Sequence, residues 1–115
     1  MQWTSLNALN QIEQIKDTST SKYILVFKHS TTCSISLIAK LKLEEEWKED
    51  IGVETFYLDL KQYQDVSGKI SNDFEVHHES PQVLLIRDRQ CIYDASHFDI
   101  SVQEILEAIE YHEAQ

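Results

Sequence analysis

Apolar residues recur at Leu6, Leu9, Ile12 and Ile15, three apart, which predicts one stripe of a helix over 4–16 with Thr4 or Ser5 as its N-cap. A polar connector over 17–21 follows. The run Tyr23-Ile24-Leu25-Val26-Phe27 has no polar member and predicts a central strand buried on both faces. From 33 to about 48 there is neither Gly nor Pro, and good helix formers dominate. That stretch predicts a second helix with Ile38, Leu41 and Trp47 inward and Glu44-Glu45-Glu46 in solvent. Gly52 marks its exit. Over 53–60, Val53, Thr55 and Tyr57 alternate with Phe56, Leu58 and Leu60, as in a second strand parallel to the first. Val66, Ile70 and Phe74, interrupted by Gly68, predict one short or irregular helix within 61–75. Pro81 directly precedes Gln82 and Val83-Leu84-Leu85-Ile86, a third strand, and proline is tolerated at a strand's first residue. Asp88-Arg89 turns the chain into a fourth strand at Cys91-Ile92-Tyr93. Ser101-x-x-Glu104 is a capping box opening a last helix with Ile105, Leu106 and Ile109 inward.

The predicted order is α-β-α-β-α-β-β-α, a single α/β domain over 1–115 with a four-stranded mixed sheet flanked by helices. With 42% hydrophobic residues the 115-residue chain can bury a substantial core, and it has no apolar run long enough to span a bilayer. The first residues lack a basic segment followed by an apolar one, so a cytoplasmic protein is expected. Twenty acidic against ten basic residues give a formal charge of −10, which repels phosphate backbones and anionic lipid. Nucleic acid and membrane are therefore excluded as main partners.

Chemistry concentrates at Thr31-Thr32-Cys33-Ser34-Ile35-Ser36, where strand becomes helix. The first N–H groups of a helix lack intrahelical partners and carry the positive end of its dipole, and both favour a thiolate. Cys33 is the candidate nucleophile. Three residues on stands Ser36, so the pattern is Cys-x-x-Ser and one thiol must act alone. The competing view is a buried, inert cysteine. Cys91 is too far to act as a resolving partner: a strand starting beside Cys33 ends about 20 Å away at roughly 3.3 Å per residue, whereas bridged Cα atoms lie within about 7 Å. It is expected to be packing. His29, His77, His78 and His97 all fall near the Cys33 end of the sheet, so Cys33 with two or three of them could bind zinc or copper, although the spacings match no compact ligand motif. A protonated His29 or His97 would instead favour the thiolate. Asp99 and Ser101 could simply cap the last helix. Trp3 and Trp47 are expected to be structural.

A thiol after the first strand and a lone proline before the third resemble the thioredoxin-like arrangement. More closely, Thr32-Cys33-Ser34-Ile35-Ser36, Glu79-Ser80-Pro81-Gln82 and Ala95-Ser96-His97 resemble the monothiol bacilliredoxins of the bacillithiol system, over nearly the whole chain. Ser34 departs from that family's Thr-Cys-Pro-Ile-Ser. The resemblance implies that Cys33 is catalytic and that Pro81 is cis and lies against it, with the Ser80 backbone pairing to an extended substrate segment. It also implies substrate contacts from Thr32, Ser34 and Ser36, and from Ser96, His97 and Asp99, where glutaredoxin-like proteins hold the charged ends of their small thiol. The implied activity is removal of bacillithiol from S-bacillithiolated client proteins. No bound cofactor is implied; bacillithiol is the co-substrate. A metal-handling protein and a non-catalytic thioredoxin-fold binding module are the alternatives.

Overall fold

The computed structural model describes residues 1–48 and 51–115. Its elements are β1 (Trp3–Ser5), α1 (Asn10–Thr18), β2 (Tyr23–His29), α2 (Ser34–Glu46), β3 (Val53–Asp59), α3 (Gln64–Phe74), β4 (Gln82–Arg87), β5 (Gln90–Ser96), a 3-10 turn (His97–Asp99) and α4 (Val102–Glu113). The strands form one sheet in the order β1-β3-β2-β4-β5. β1, β3 and β2 run parallel, while β4 is antiparallel to both β2 and β5. Among the described residues no helix is long and apolar enough to cross a membrane.

Side chains alternate across β2, and the alternation builds two cores. Tyr23, Leu25 and Phe27 pack with Ala39, Leu43, Trp47 and Ile105 on the α2 and α4 side. Ile24 and Val26 pack with Ile12, Ile15, Val66, Ile70 and Phe74 on the α1 and α3 side. Each such large side chain taken from water contributes about 1.5–3 kcal/mol, so the middle strand anchors both layers.

The sheet has five strands where four were predicted. Trp3–Ser5 is not the start of a helix; it pairs with Thr55, Phe56 and Tyr57 of β3. Thr4 and Ser5 therefore cap nothing. α1 starts after Leu9 with no side-chain cap, and the turn before it is tied by Gln11, whose Oε1 accepts from Asn7 N–H and Ala8 N–H at 2.8 and 2.9 Å. Leu6 is buried but lies outside α1, and its N–H donates to the Tyr57 carbonyl at 2.8 Å.

α2 also differs in phase. Its inward residues are Ser36, Ala39 and Leu43, with Trp47 buried just beyond its end, while Ile38 and Leu41 are 51% and 64% exposed. Apolar residues stand on opposite sides of this helix, Ala39 and Leu43 inward and Leu37, Ile38 and Leu41 outward, so periodicity does not fix its phase, and the small Ser36 and Ala39 let it approach the sheet. It ends at Glu46, and Gly52, at φ +73°, turns the chain into β3 instead of ending the helix. α3 is a regular 11-residue helix rather than a short or irregular one. Gly68 sits on it in open space. The helix closes through Glu75 in the left-handed region at φ 55°, with Val76 N–H donating to the Ser71 carbonyl.

The β4–β5 turn uses Asp88 and Arg89, both at positive φ, the backbone that matches the twist of a two-residue hairpin. Ser19 accepts both turn amides, through its carbonyl and its hydroxyl, each at 2.8 Å. Of the predicted capping box, half is present. Ser101 Oγ accepts Glu104 N–H at 3.3 Å, whereas the Glu104 carboxylate accepts from Tyr93 Oη–H at 3.1 Å.

Candidate active site around Cys33

β2 ends at His29, three residues form a loop, and Cys33 takes the N-cap position of α2 in extended backbone. Its N–H donates to the Ser30 carbonyl at 3.2 Å, and its own carbonyl accepts Leu37 N–H at 3.1 Å, the first bond of the helix. The half-exposed thiol thus sits at the positive end of a 13-residue helix. Ser34 is the first helical residue and exposed, a position where the N–H has no intrahelical acceptor and proline would fit.

Ser36 lies inside the protein. Its Oγ accepts Ser30 N–H at 3.0 Å and shares a 2.6 Å hydrogen bond with His29 Nδ1. It ties the loop to the helix from beneath, so the expected substrate contact at Ser36 is not available: the residue is fully buried. His29 is buried as well, against the rings of Phe27 and Tyr57. Burial, and then the Lys40 charge, pull its pKa below the ordinary value. A protonated His29 acting on Cys33, as the sequence suggested, is therefore disfavoured.

Thr32 is exposed, and its Oγ1 accepts from Lys61 Nζ at 2.9 Å. Lys61 was not singled out from the sequence, yet pairing supplies the signal. His29 is the register partner of Asp59, so the residues after the two parallel strands emerge side by side.

The opposite wall comes from β4 and β5. The Ser80–Pro81 peptide bond is cis. Lys28 pairs with Gln82, and Gln82 pairs with Ser96, which brings Pro81 and His97 to the same end of the sheet as the Cys33 loop. The Pro81 carbonyl accepts His97 N–H at 3.0 Å. His97 is in the left-handed region at φ 55°, and its Nε2 lies 3.4 Å from Glu79 Oε2. Ser96 is half-buried, and Ser80 Oγ is buried without a protein partner. Asp99 is exposed on the 3-10 turn, which packs against α2, and it does not cap α4.

The four histidines at this end of the sheet do not share one site. His29 meets Ser36, His78 meets Lys28 Nζ at 3.2 Å, and His77 and His97 flank Glu79. Among the described residues no three His, Cys, Asp or Glu side chains converge as metal ligands.

Cys91 is opposite Ile86, which itself pairs with Ile24 at the beginning of β2, so it lies at the other end of the sheet from Cys33. Its thiol donates to the Tyr93 carbonyl at 3.3 Å, and burial pushes its pKa up to about 11. A cavity of about 690 Å³ between β5 and α4 is lined by Cys91 and Tyr93 and is remote from the Cys33 loop.

Residues 4–105 match the family model described as monothiol bacilliredoxin BrxC. Among solved structures, a thioredoxin-fold protein described as a candidate oxidoreductase is 31% identical with a TM-score of 0.79, and 91% of each chain is covered. Thioredoxin from Fasciola hepatica is 21% identical with a TM-score of 0.72, covering 94% of this chain and 97% of its own. Thioredoxin from Trypanosoma brucei brucei is 10% identical with a TM-score of 0.77, covering 99% and 93%. At those identities the two thioredoxins speak for the fold alone.

Proposed function

The chain belongs to the monothiol bacilliredoxin family, and we propose that it is a thiol-disulfide oxidoreductase that removes bacillithiol from S-bacillithiolated protein cysteines. The observation that carries this is the setting of Cys33. Cys33 holds the N-cap position of α2 at the same end of the sheet as the cis Ser80–Pro81 bond, with a buried hydroxyl at Ser36 and Cys91 at the far end.

The Cys33 thiolate attacks the bacillithiol sulfur of the client's mixed disulfide. A new Cys33–bacillithiol disulfide forms, and the client sulfur leaves as a thiolate that takes a proton from water. Thiolate attack needs no redox cofactor; the electrons come from thiols. A second bacillithiol thiolate then attacks the bacillithiol sulfur on Cys33, releasing bacillithiol disulfide and the Cys33 thiolate. One disulfide is consumed and one is made: the client sulfur passes from disulfide to thiol as the incoming bacillithiol passes from thiol to disulfide. Thr32, Ser34, Ser80, Pro81, Ser96, His97 and Asp99 are proposed to form the surface that receives client and small thiol, in a reducing cytoplasm.

The test is intact-mass measurement after exposure of the protein to bacillithiol disulfide. One bacillithiol adduct on Cys33, removed by free bacillithiol, is expected. An adduct confined to Cys91, or an internal Cys33–Cys91 bridge, would overturn the proposal.

A further inference from the structure

The segment joining α3 to β4 has no regular structure, yet it ends in the Ser80–Pro81 edge. Two buried polar side chains hold it from below. Lys28 and Gln82 are cross-strand partners at the ends of β2 and β4, and both are essentially inaccessible to solvent. The Lys28 ammonium has three N–H groups and meets three acceptors: the Ser67 carbonyl at 3.2 Å, Ser71 Oγ at 2.8 Å and His78 Nδ1 at 3.2 Å. Gln82 Nε2 donates to the His77 carbonyl at 2.9 Å. Glu79 Oε2, in the same segment, lies 3.4 Å from His97 Nε2.

No carboxylate pairs with Lys28 among the described residues. A buried ammonium with only neutral partners is a poor stabiliser, since an apolar side chain of equal length would fill the same space without desolvating a charge. Burial accordingly pulls its pKa down to about 8. Its contacts nevertheless join β2, α3 and the segment before Pro81 at a single atom.

We propose that Lys28 and Gln82 are positioning residues that fix the His77–Ser80 segment, and with it the edge beside Cys33 that receives the substrate disulfide. The functional half of this rests on the oxidoreductase proposed above; the ordering half does not. Neither side chain touches substrate. Lys28 acts through His78 and Gln82 through the His77 backbone, so the edge keeps its place relative to the thiol.

Gln82→Met keeps side-chain length and Lys28→Met shortens it by one atom, and both delete these contacts. The full-length variants are compared with wild type by amide hydrogen exchange, by iodoacetamide labelling of Cys33, and by transfer from a peptide cysteine in mixed disulfide with bacillithiol or with glutathione. The amides of Val76 and His97, bonded to the Ser71 and Pro81 carbonyls at the two ends of the segment, should exchange about tenfold faster while those of β2 and the middle of α3 keep their protection. Labelling, which needs no edge, should stay within about twofold, while transfer falls about tenfold because the disulfide is no longer aligned. Wild-type exchange at both amides overturns the proposal. So does a parallel fall in labelling and transfer, or loss of protection throughout β2 in both variants, which would make the pair a support of the sheet. A wild type that takes neither thiol from the peptide retires the oxidoreductase reading instead, and the exchange data then decide the ordering role alone.

Discussion

Ser36 Oγ lies 2.6 Å from His29 Nδ1, in the interior one turn behind Cys33. The position where a dithiol protein would carry its second sulfur is occupied by a hydroxyl already committed to holding the loop. Ser36→Ala removes the partner of both Ser30 N–H and His29, and a buried polar group left unpaired costs about 1–3 kcal/mol. Urea unfolding should show a loss of that size while Cys33 still accepts a bacillithiol adduct. Unchanged stability would mean that the hydroxyl does not tie loop to helix.

Acid should weaken the fold before its carboxylates titrate. His29 and His78 both have pKa values lowered by burial, His29 further by Lys40 and His78 by Lys28, against the opposing pull of Asp59, Glu44 and Glu79. The folded state therefore resists the proton that the unfolded chain takes up at the ordinary value of 6.5. Their contribution is complete above that pH and is lost as pH falls through the lower folded values. Melting temperatures between pH 7.5 and about 5 should decline in the wild type and decline less in His29→Gln. Equal slopes would assign the acid response to other groups.

Much of the fold was legible because burial left a clear pattern. Tyr23 to Phe27 has no polar residue, and Val66, Ile70 and Phe74 keep helical spacing. Where that pattern fails, so does the prediction. β1 is only three residues long and exists through its pairing with β3, a contact that no local period reveals. Lys28 and His29 extend β2 although their polarity suggests a strand end, since both are buried with specific partners. The phase of α2 was hidden because apolar residues stand on opposite sides of it, which set Ile38 and Leu41 against the smaller Ser36 and Ala39. At the site, Cys33 and Pro81 announce themselves by residue type. Lys61 and Gln82 matter through register, and register is not written along one strand.

Lys61 brings a cation to the residue before Cys33 in a chain whose formal charge is −10: its ammonium meets Thr32 Oγ1, with no carboxylate pair among the described residues. It should favour anionic reagents approaching Cys33. One charge contributes about 1 kcal/mol at 4 Å in water, so Lys61→Glu should lower the ratio of iodoacetate to iodoacetamide labelling about fivefold or more at low salt. The ratio should converge with that of the wild type as salt is raised. A ratio insensitive to the substitution would place the ammonium out of reach of the thiol.

The two cysteines should separate cleanly in reactivity, and the reason is position. Cys33 holds the N-cap position of α2, partly exposed and open to reagent at the positive end of the helix. Cys91 sits in β5 against the core, donates its proton to the Tyr93 carbonyl and has its pKa pushed up to about 11, so very little of it is thiolate near neutral pH. Brief labelling near pH 7.5 should therefore modify Cys33 alone. Cys33→Ala should abolish both labelling and removal of bacillithiol from a client, whereas Cys91→Ala should leave each within about twofold of wild type. Turnover of the wild type should also require free bacillithiol, since Ser36 and the distant Cys91 provide no internal resolver. Repeated turnover without added thiol, or its loss in Cys91→Ala, would show that the second cysteine reaches the first and that the single-thiol cycle is wrong.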